Sequence, residues 1–141
     1  MNSTRRYAAF ISYSHADARW AAWLQKQLES FRVPRRLVGT TGEHGTVPSR
    51  LAPVFRDRED LASANDLGGR VAQALEASDA LLVVCSPSAA RSRWVNEEIR
   101  SFRRLGRGGR IHCLLVPAEP GEGGDPGFPP ALVEAIDGQD A

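Results

Sequence analysis

The stretch that decides the fold is Asp79-Ala80-Leu81-Leu82-Val83-Val84-Cys85-Ser86-Pro87-Ser88 and, after a short turn, Trp94-Val95-Asn96-Glu97-Glu98-Ile99. Its first half is a continuous apolar run, the pattern of a central parallel strand covered on both faces. Ser86-Pro87-Ser88 ends that run. Between residues 92 and 105 the pattern becomes helical, at about 100° per residue. Trp94, Val95, Ile99, Phe102 and Leu105 then share one face, and Asn96, Glu97, Arg100, Arg103 and Arg104 share the other. Glu98 falls inside the apolar arc. Burying a lone carboxylate is costly, so this acid is either paired or set at a cleft on the edge of the arc. Its neighbour Glu97, at helical spacing from Arg100 and Arg104, reads as a solvated ion-pair position.

Outward from this unit the alternation repeats. Residues 7–13, Tyr-Ala-Ala-Phe-Ile-Ser-Tyr, suit a buried strand leading into a turn at Ser14-His15. From Asp17 to Phe31 the apolar positions Trp20, Trp23, Leu24, Leu28 and Phe31 recur at three and four, as an amphipathic helix requires, and both tryptophans are expected in the core. Residues 33–50 read as a long loop, and Leu51 to Phe55 as a second strand. That strand opens onto Arg56-Asp57-Arg58-Glu59-Asp60, a charged loop. Asp66 is a candidate N-cap for a helix through Ala77. After the helix of Glu98, Gly106-Arg107-Gly108-Gly109 forms a stop, and Ile111 to Val116 is the fourth strand. Beyond Pro117 the chain turns rich in Gly and Pro, with a short helical candidate at Pro130 to Ile136.

Strands alternating with helices predict an α/β fold: a three-layer, flavodoxin-like, doubly wound parallel sheet of four to five strands. In such a sheet ligands bind at the carboxyl ends of the strands, where the strand order reverses. Ser14-His15, Arg56 to Asp60 and the start of the Trp94 helix should therefore line one crevice.

Composition removes several functions. The chain has 141 residues, enough for one domain with one core, and a net charge of +1. Such a balance argues against nucleic-acid contact or a membrane-binding surface. All basic residues but Lys26 are arginine, a bias that fits codon composition. Cys85 and Cys113 sit in apolar runs and are expected to be buried reduced thiols. There is no signal-peptide pattern at the start and no apolar stretch near the roughly 18 residues of a membrane span. A cytoplasmic protein is expected. His44 and His112 stand apart from any ligand-spaced cluster, so no metal is expected. Gly-x-Gly-x-x-Gly, Walker and Gly-x-Ser-x-Gly patterns are lacking. A phospho-acceptor receiver domain needs acids where Tyr13-Ser14 and Cys85-Ser86 stand.

The boxes themselves resemble a known family. Phe10-Ile11-Ser12-Tyr13-Ser14-His15-Ala16-Asp17 is similar to the first box of Toll/interleukin-1 receptor (TIR) domains, and Val54-Phe55-Arg56-Asp57 to the second. Ser86-Pro87 followed by Trp94-Val95-Asn96-Glu97-Glu98-Ile99 resembles the third-strand exit and the tryptophan, three residues, glutamate motif of the bacterial, NAD-cleaving branch. The resemblance spans about residues 7–117, within a single TIR domain over 1–141 whose fifth strand and last helix are expected to be missing or to lie outside the chain. Two departures stand out. Ala62-Ser63-Ala64-Asn65 replaces the Pro-Gly pair of receptor-type second loops, so receptor-style adaptor pairing does not carry over. Ser14 and His15 occupy positions where nucleotide-cleaving members can carry basic residues.

The resemblance implies cleavage of NAD, as substrate and not cofactor, to nicotinamide and ADP-ribose or a cyclic ADP-ribose. It also implies activation by self-association or by other TIR domains, through a fused or partner sensor module, in immune defence. It implies Glu98 as the catalytic carboxylate and Trp94 as a wall of the site. Asp57 and Glu59 would contact the ribose, Ser14 and His15 the diphosphate or adenosine, with Arg56 in the same substrate-binding set. Plainer readings stay open: Glu98 bonded to a core hydroxyl or amide, Trp94 as packing, Asp57 paired with Arg56 or Arg58, His15 on the surface. The rival function is a non-catalytic TIR scaffold.

Overall fold

The computed structural model describes residues 7–42, 45–56, 69–116 and 128–133. The apolar run of residues 79–85 becomes strand β5 (Leu81–Cys85), with both faces buried against neighbouring elements. β1 (Ala9–Ser12) lies beside it, entirely buried, and pairs parallel with it through Phe10–Leu81, Ile11–Leu82 and Ser12–Val83. β4 (Val54–Arg56) lies on the far side of β1, and β6 (Ile111–Leu115) on the far side of β5, both parallel. The order β4-β1-β5-β6 is that of a doubly wound parallel sheet. The chain steps from β1 out to β4, then returns across β1 to β5. The reversal, with its crevice, therefore lies between the carboxyl ends of β1 and β5.

Period-two alternation divides the core in two. Phe10, Val83 and Cys85 face α2 (Gly69–Glu76) and α4 (Arg93–Arg104), whose Val71, Leu75, Val95, Ile99 and Phe102 fill that side. Ile11, Val54 and Val84 face α1 (Ala18–Ser30), through Ala21, Trp20, Leu24 and Leu28. Three layers result, as expected.

Local chemistry explains the boundaries. Ser86 caps a short helix, α3 (Pro87–Arg91), by accepting from the Ala89 amide at 3.0 Å, and Ser92 caps α4 by accepting from the Val95 amide at 3.1 Å. α3 replaces the simple turn expected there. Gly106 ends α4 with a φ of 82°, a left-handed position that glycine takes without strain. β4, an outer strand of the described sheet, is covered by α1: the Gln25 amide donates to the Val54 carbonyl at 2.9 Å, and the Val54 amide donates to Glu29 at 2.9 Å.

Several expectations need correction. Trp23 is 49% exposed, on the outer side of α1, while Trp20 is half-buried against the sheet and meets Trp23 edge-on. A wheel marks apolar positions but not where the sheet ends, and Trp23 lies outside the contact. Cys113 is exposed, because β6 is an outer strand of the described sheet and its faces are only partly covered. Arg56 closes β4 instead of opening the loop. The expected loop 33–50 contains a small hairpin, β2 (Thr41–Gly42) with β3 (Gly45–Thr46). In the helical candidate at 130–136, Pro130–Leu132 form a 3-10 turn, and residues 134–136 lie outside the described residues. Asp66 lies outside the described residues.

Candidate active site

Ser12 is the last residue of β1 and points to the same side of the sheet as Phe10, toward α4. The side of α4 that packs on the sheet carries Glu98, one helical turn after Trp94. The two polar groups meet: the Ser12 hydroxyl donates to Glu98 Oε1 at 2.6 Å. That distance is in the range of a hydroxyl bonded to an ionised carboxylate. Ser12 is fully buried and Glu98 is 8% exposed. The acid inside the apolar arc is thus both paired and at the carboxyl end of β1, next to the strand-order reversal.

A second carboxylate lies at the same end of the sheet. Asp17, buried at the start of α1, accepts from the Ser14 hydroxyl at 3.0 Å and from the Ser86 hydroxyl at 2.5 Å. Ser86 in turn accepts from Ala89. A continuous chain of hydrogen bonds therefore ties the exit of β1 to the exit of β5 and the start of α3. Every buried side-chain polar atom among the described residues has a hydrogen-bond partner.

The expected site residues divide as follows. Glu98 and Trp94 lie on α4, Glu98 buried and Trp94 half-buried. Ser14 is buried with its hydroxyl proton given to Asp17, and His15 is exposed, opening a short 3-10 turn. Arg56 is half-buried, its Nε donating to Gln25 Oε1 at 2.8 Å. Asp57 and Glu59 lie outside the described residues. Glu97 is where the wheel put it, in an i,i+3 pair with Arg100 at 2.8 Å. Among the described residues no group of three or more His, Cys, Asp or Glu is placed to hold a metal, and no helix is long and apolar enough to cross a membrane.

Residues 10–119 match the family model for the Thoeris protein ThsB, TIR-like domain. The chain belongs to this TIR-like domain family. A curated relative, NAD(+) hydrolase ApTIR of Actinoplanes sp., is 41% identical over 98 residues, covering 69% of this chain and 12% of that protein. The domain thus spans a small part of the relative's length.

Sequence reasoning missed Ser12, Asp17 and Ser86 as members of the site. Ser12 carried a signal, a hydroxyl at an inward strand position directly after Phe10-Ile11. Asp17 read as the first residue of a helix, and its bond to Ser86 spans 69 positions.

Proposed function

We propose that this TIR-like domain cleaves the nicotinamide–ribose bond of NAD with Glu98 as the catalytic carboxylate. The observation that carries the reading is the position of Glu98, a nearly buried acid at the reversal point of a doubly wound sheet. The Actinoplanes relative, an NAD(+) hydrolase, supports the same substrate.

The chemistry suits a single acid. Glycoside hydrolysis ordinarily needs a general acid to protonate the leaving oxygen. In NAD the leaving group is a cationic pyridinium. The electron pair of the breaking C–N bond neutralises the ring nitrogen, and nicotinamide departs without a proton. What remains is positive charge on the ribose, which an ionised, partly desolvated carboxylate stabilises. Water then adds to the anomeric carbon and loses a proton to give ADP-ribose, or an adenine nitrogen adds to give a cyclic product.

In this reading Trp94 is a wall of the site, and Asp57 and Glu59 contact ribose hydroxyls. His15 faces the diphosphate, with Ser14 reaching it through atoms other than its committed proton. Arg56, at the end of β4, belongs to the same substrate-binding set. Self-association, directly or through a fused or partner module, switches the domain on in the cytoplasm, where NAD depletion or a nucleotide product serves immune defence.

The test is nicotinamide release from NAD by the domain at high concentration or fused to an oligomeriser, for Glu98→Gln and Glu97→Gln. Glu98→Gln should lose about 100-fold or more, and Glu97→Gln should stay within about threefold. Equal loss in both, or retained activity in Glu98→Gln, would leave the scaffold reading standing instead.

A further inference from the structure

We infer that Ser12 is a positioning residue for Glu98, which fixes the carboxylate for ribose-cation stabilisation; this rests on the NAD-cleaving reading above. Glutamate reaches the crevice on a side chain with several rotatable bonds, from a helix that packs on the sheet. Hydrophobic packing of Val95, Ile99 and Phe102 sets where α4 lies, but it does not choose among rotamers of a charged tip. The hydroxyl of Ser12 holds one oxygen of that tip, Oε1. It is held by a strand that is buried along its whole length and hydrogen-bonded on both sides, to β4 and to β5. Its donor therefore stands at a fixed point at the carboxyl end of β1.

The bond is short, at 2.6 Å, and links residues 86 positions apart. Serine is the smallest side chain that can donate from this position. Alanine there would leave the backbone and the packing in place and remove only the donor. The catalytic consequence follows from preorganisation: a carboxylate already held in one position needs no reorientation as charge builds on the ribose. A purely structural bond would contribute to stability alone.

The two roles separate in steady-state kinetics of NAD cleavage by the clustered domain, with thermal melts run in parallel. Ser12→Ala should lower kcat by roughly 10- to 100-fold while KM stays within about threefold. Ser12→Thr, which keeps the hydroxyl, should recover kcat to within about threefold of wild type. Unchanged kcat in a folded Ser12→Ala overturns the inference. So does an equal fall of kcat in Ser12→Ala and Ser12→Thr, since that would report packing and not the donor. If Ser12→Ala does not melt cooperatively, Ser12→Cys, a far weaker donor of similar shape, takes its place with the same expected loss and the same overturning result.

Glu98→Gln distinguishes the two levels of the argument. An inactive Glu98→Gln beside a fully active Ser12→Ala removes Ser12 alone. A fully active Glu98→Gln removes the Glu98 reading and the Ser12 role with it.

Discussion

At the scale of single residues, the two cysteines separate what a linear pattern can reveal from what neighbours decide. Both lie in apolar runs. The β5–β6 register sets Cys113 opposite Val83, two residues before Cys85 and on the same face. A hydrogen bond from Cys85 holds Cys113 down at about 7, against an ordinary value of 9.0, while Cys85 is pushed up by its bond to Cys113 and by burial. The exposed thiol is therefore the acidic one. Iodoacetamide should label Cys113 with a rate that rises through a midpoint near pH 7 and should leave Cys85 untouched in the folded protein, as read by peptide mass spectrometry. Cys85→Ala should move that midpoint upward toward the ordinary thiol range, because the stabilising donor is gone. A midpoint unmoved by Cys85→Ala would contradict the assigned cause.

Residue-scale legibility was uneven for the same reason. Glu98 stood out because its type conflicted with its helical face. Ser12 gave a weaker signal, since a serine in a strand is unremarkable until its partner is known. The contrast between Glu98 and Glu97 was legible from spacing alone, and the observed Arg100–Glu97 pair matches it.

At the scale of elements, α4 illustrates the limit of a helical wheel. The wheel assigned Asn96 and Arg103 to the solvated side. Both are buried, because the segment at 128–133 arrives on that side. Asn96 Oδ1 accepts from the Ala131 amide at 2.8 Å, and Arg103 Nη1 donates to the Ala131 carbonyl at 2.8 Å. Asn96 Nδ2 also donates to the carbonyls of Ala90 and Ser92, so one side chain joins α3, α4 and the late segment. Leu105, expected on the apolar face, is instead exposed at the helix end.

Removing either clamp leaves a buried backbone group of Ala131 without its partner, which costs about 1–3 kcal/mol. Asn96→Ala and Arg103→Ala should each lower the denaturant midpoint by that measure. Arg100→Ala, which removes the partly exposed pair with Glu97, should change stability by less than about 0.5 kcal/mol. Equal effects from Arg100 and Arg103 would mean that the clamp contributes nothing. Arg107 plays a related part at the end of α2, where its guanidinium donates to the carbonyls of Glu76 at 2.8 Å and Ser78 at 3.0 Å. It read only as part of a glycine-rich stop.

For the whole molecule, the critical join is at the strand-order reversal. Parallel pairing sets the carboxyl ends of β1 and β5 side by side, and Asp17 bridges them through Ser14 and Ser86. This carboxylate holds the architecture at the place where the candidate site sits. Asp17→Ala strands two buried hydroxyls at once. It should cost about 2–4 kcal/mol of unfolding free energy, measured by urea denaturation, and should weaken the α3 cap that shares Ser86. A loss below about 0.5 kcal/mol would show that the bridge is incidental. Glu98→Gln, which retains an acceptor for Ser12, should cost less than Asp17→Ala.

The alternation of strands and helices, the three layers, the covered central strand and the suspect acid at 98 all followed from local periodicity and residue type, because each depends on a few neighbouring positions. What needed the tertiary structure was every relation between distant positions. The partner of Glu98, the bridge at Asp17, the burial of Asn96 and Arg103 and the exposure of Trp23 and Cys113 depend on which surfaces meet, and on where the sheet has its outer strands. Periodicity gives the direction in which a side chain leaves its own element; only packing decides what stands in its way.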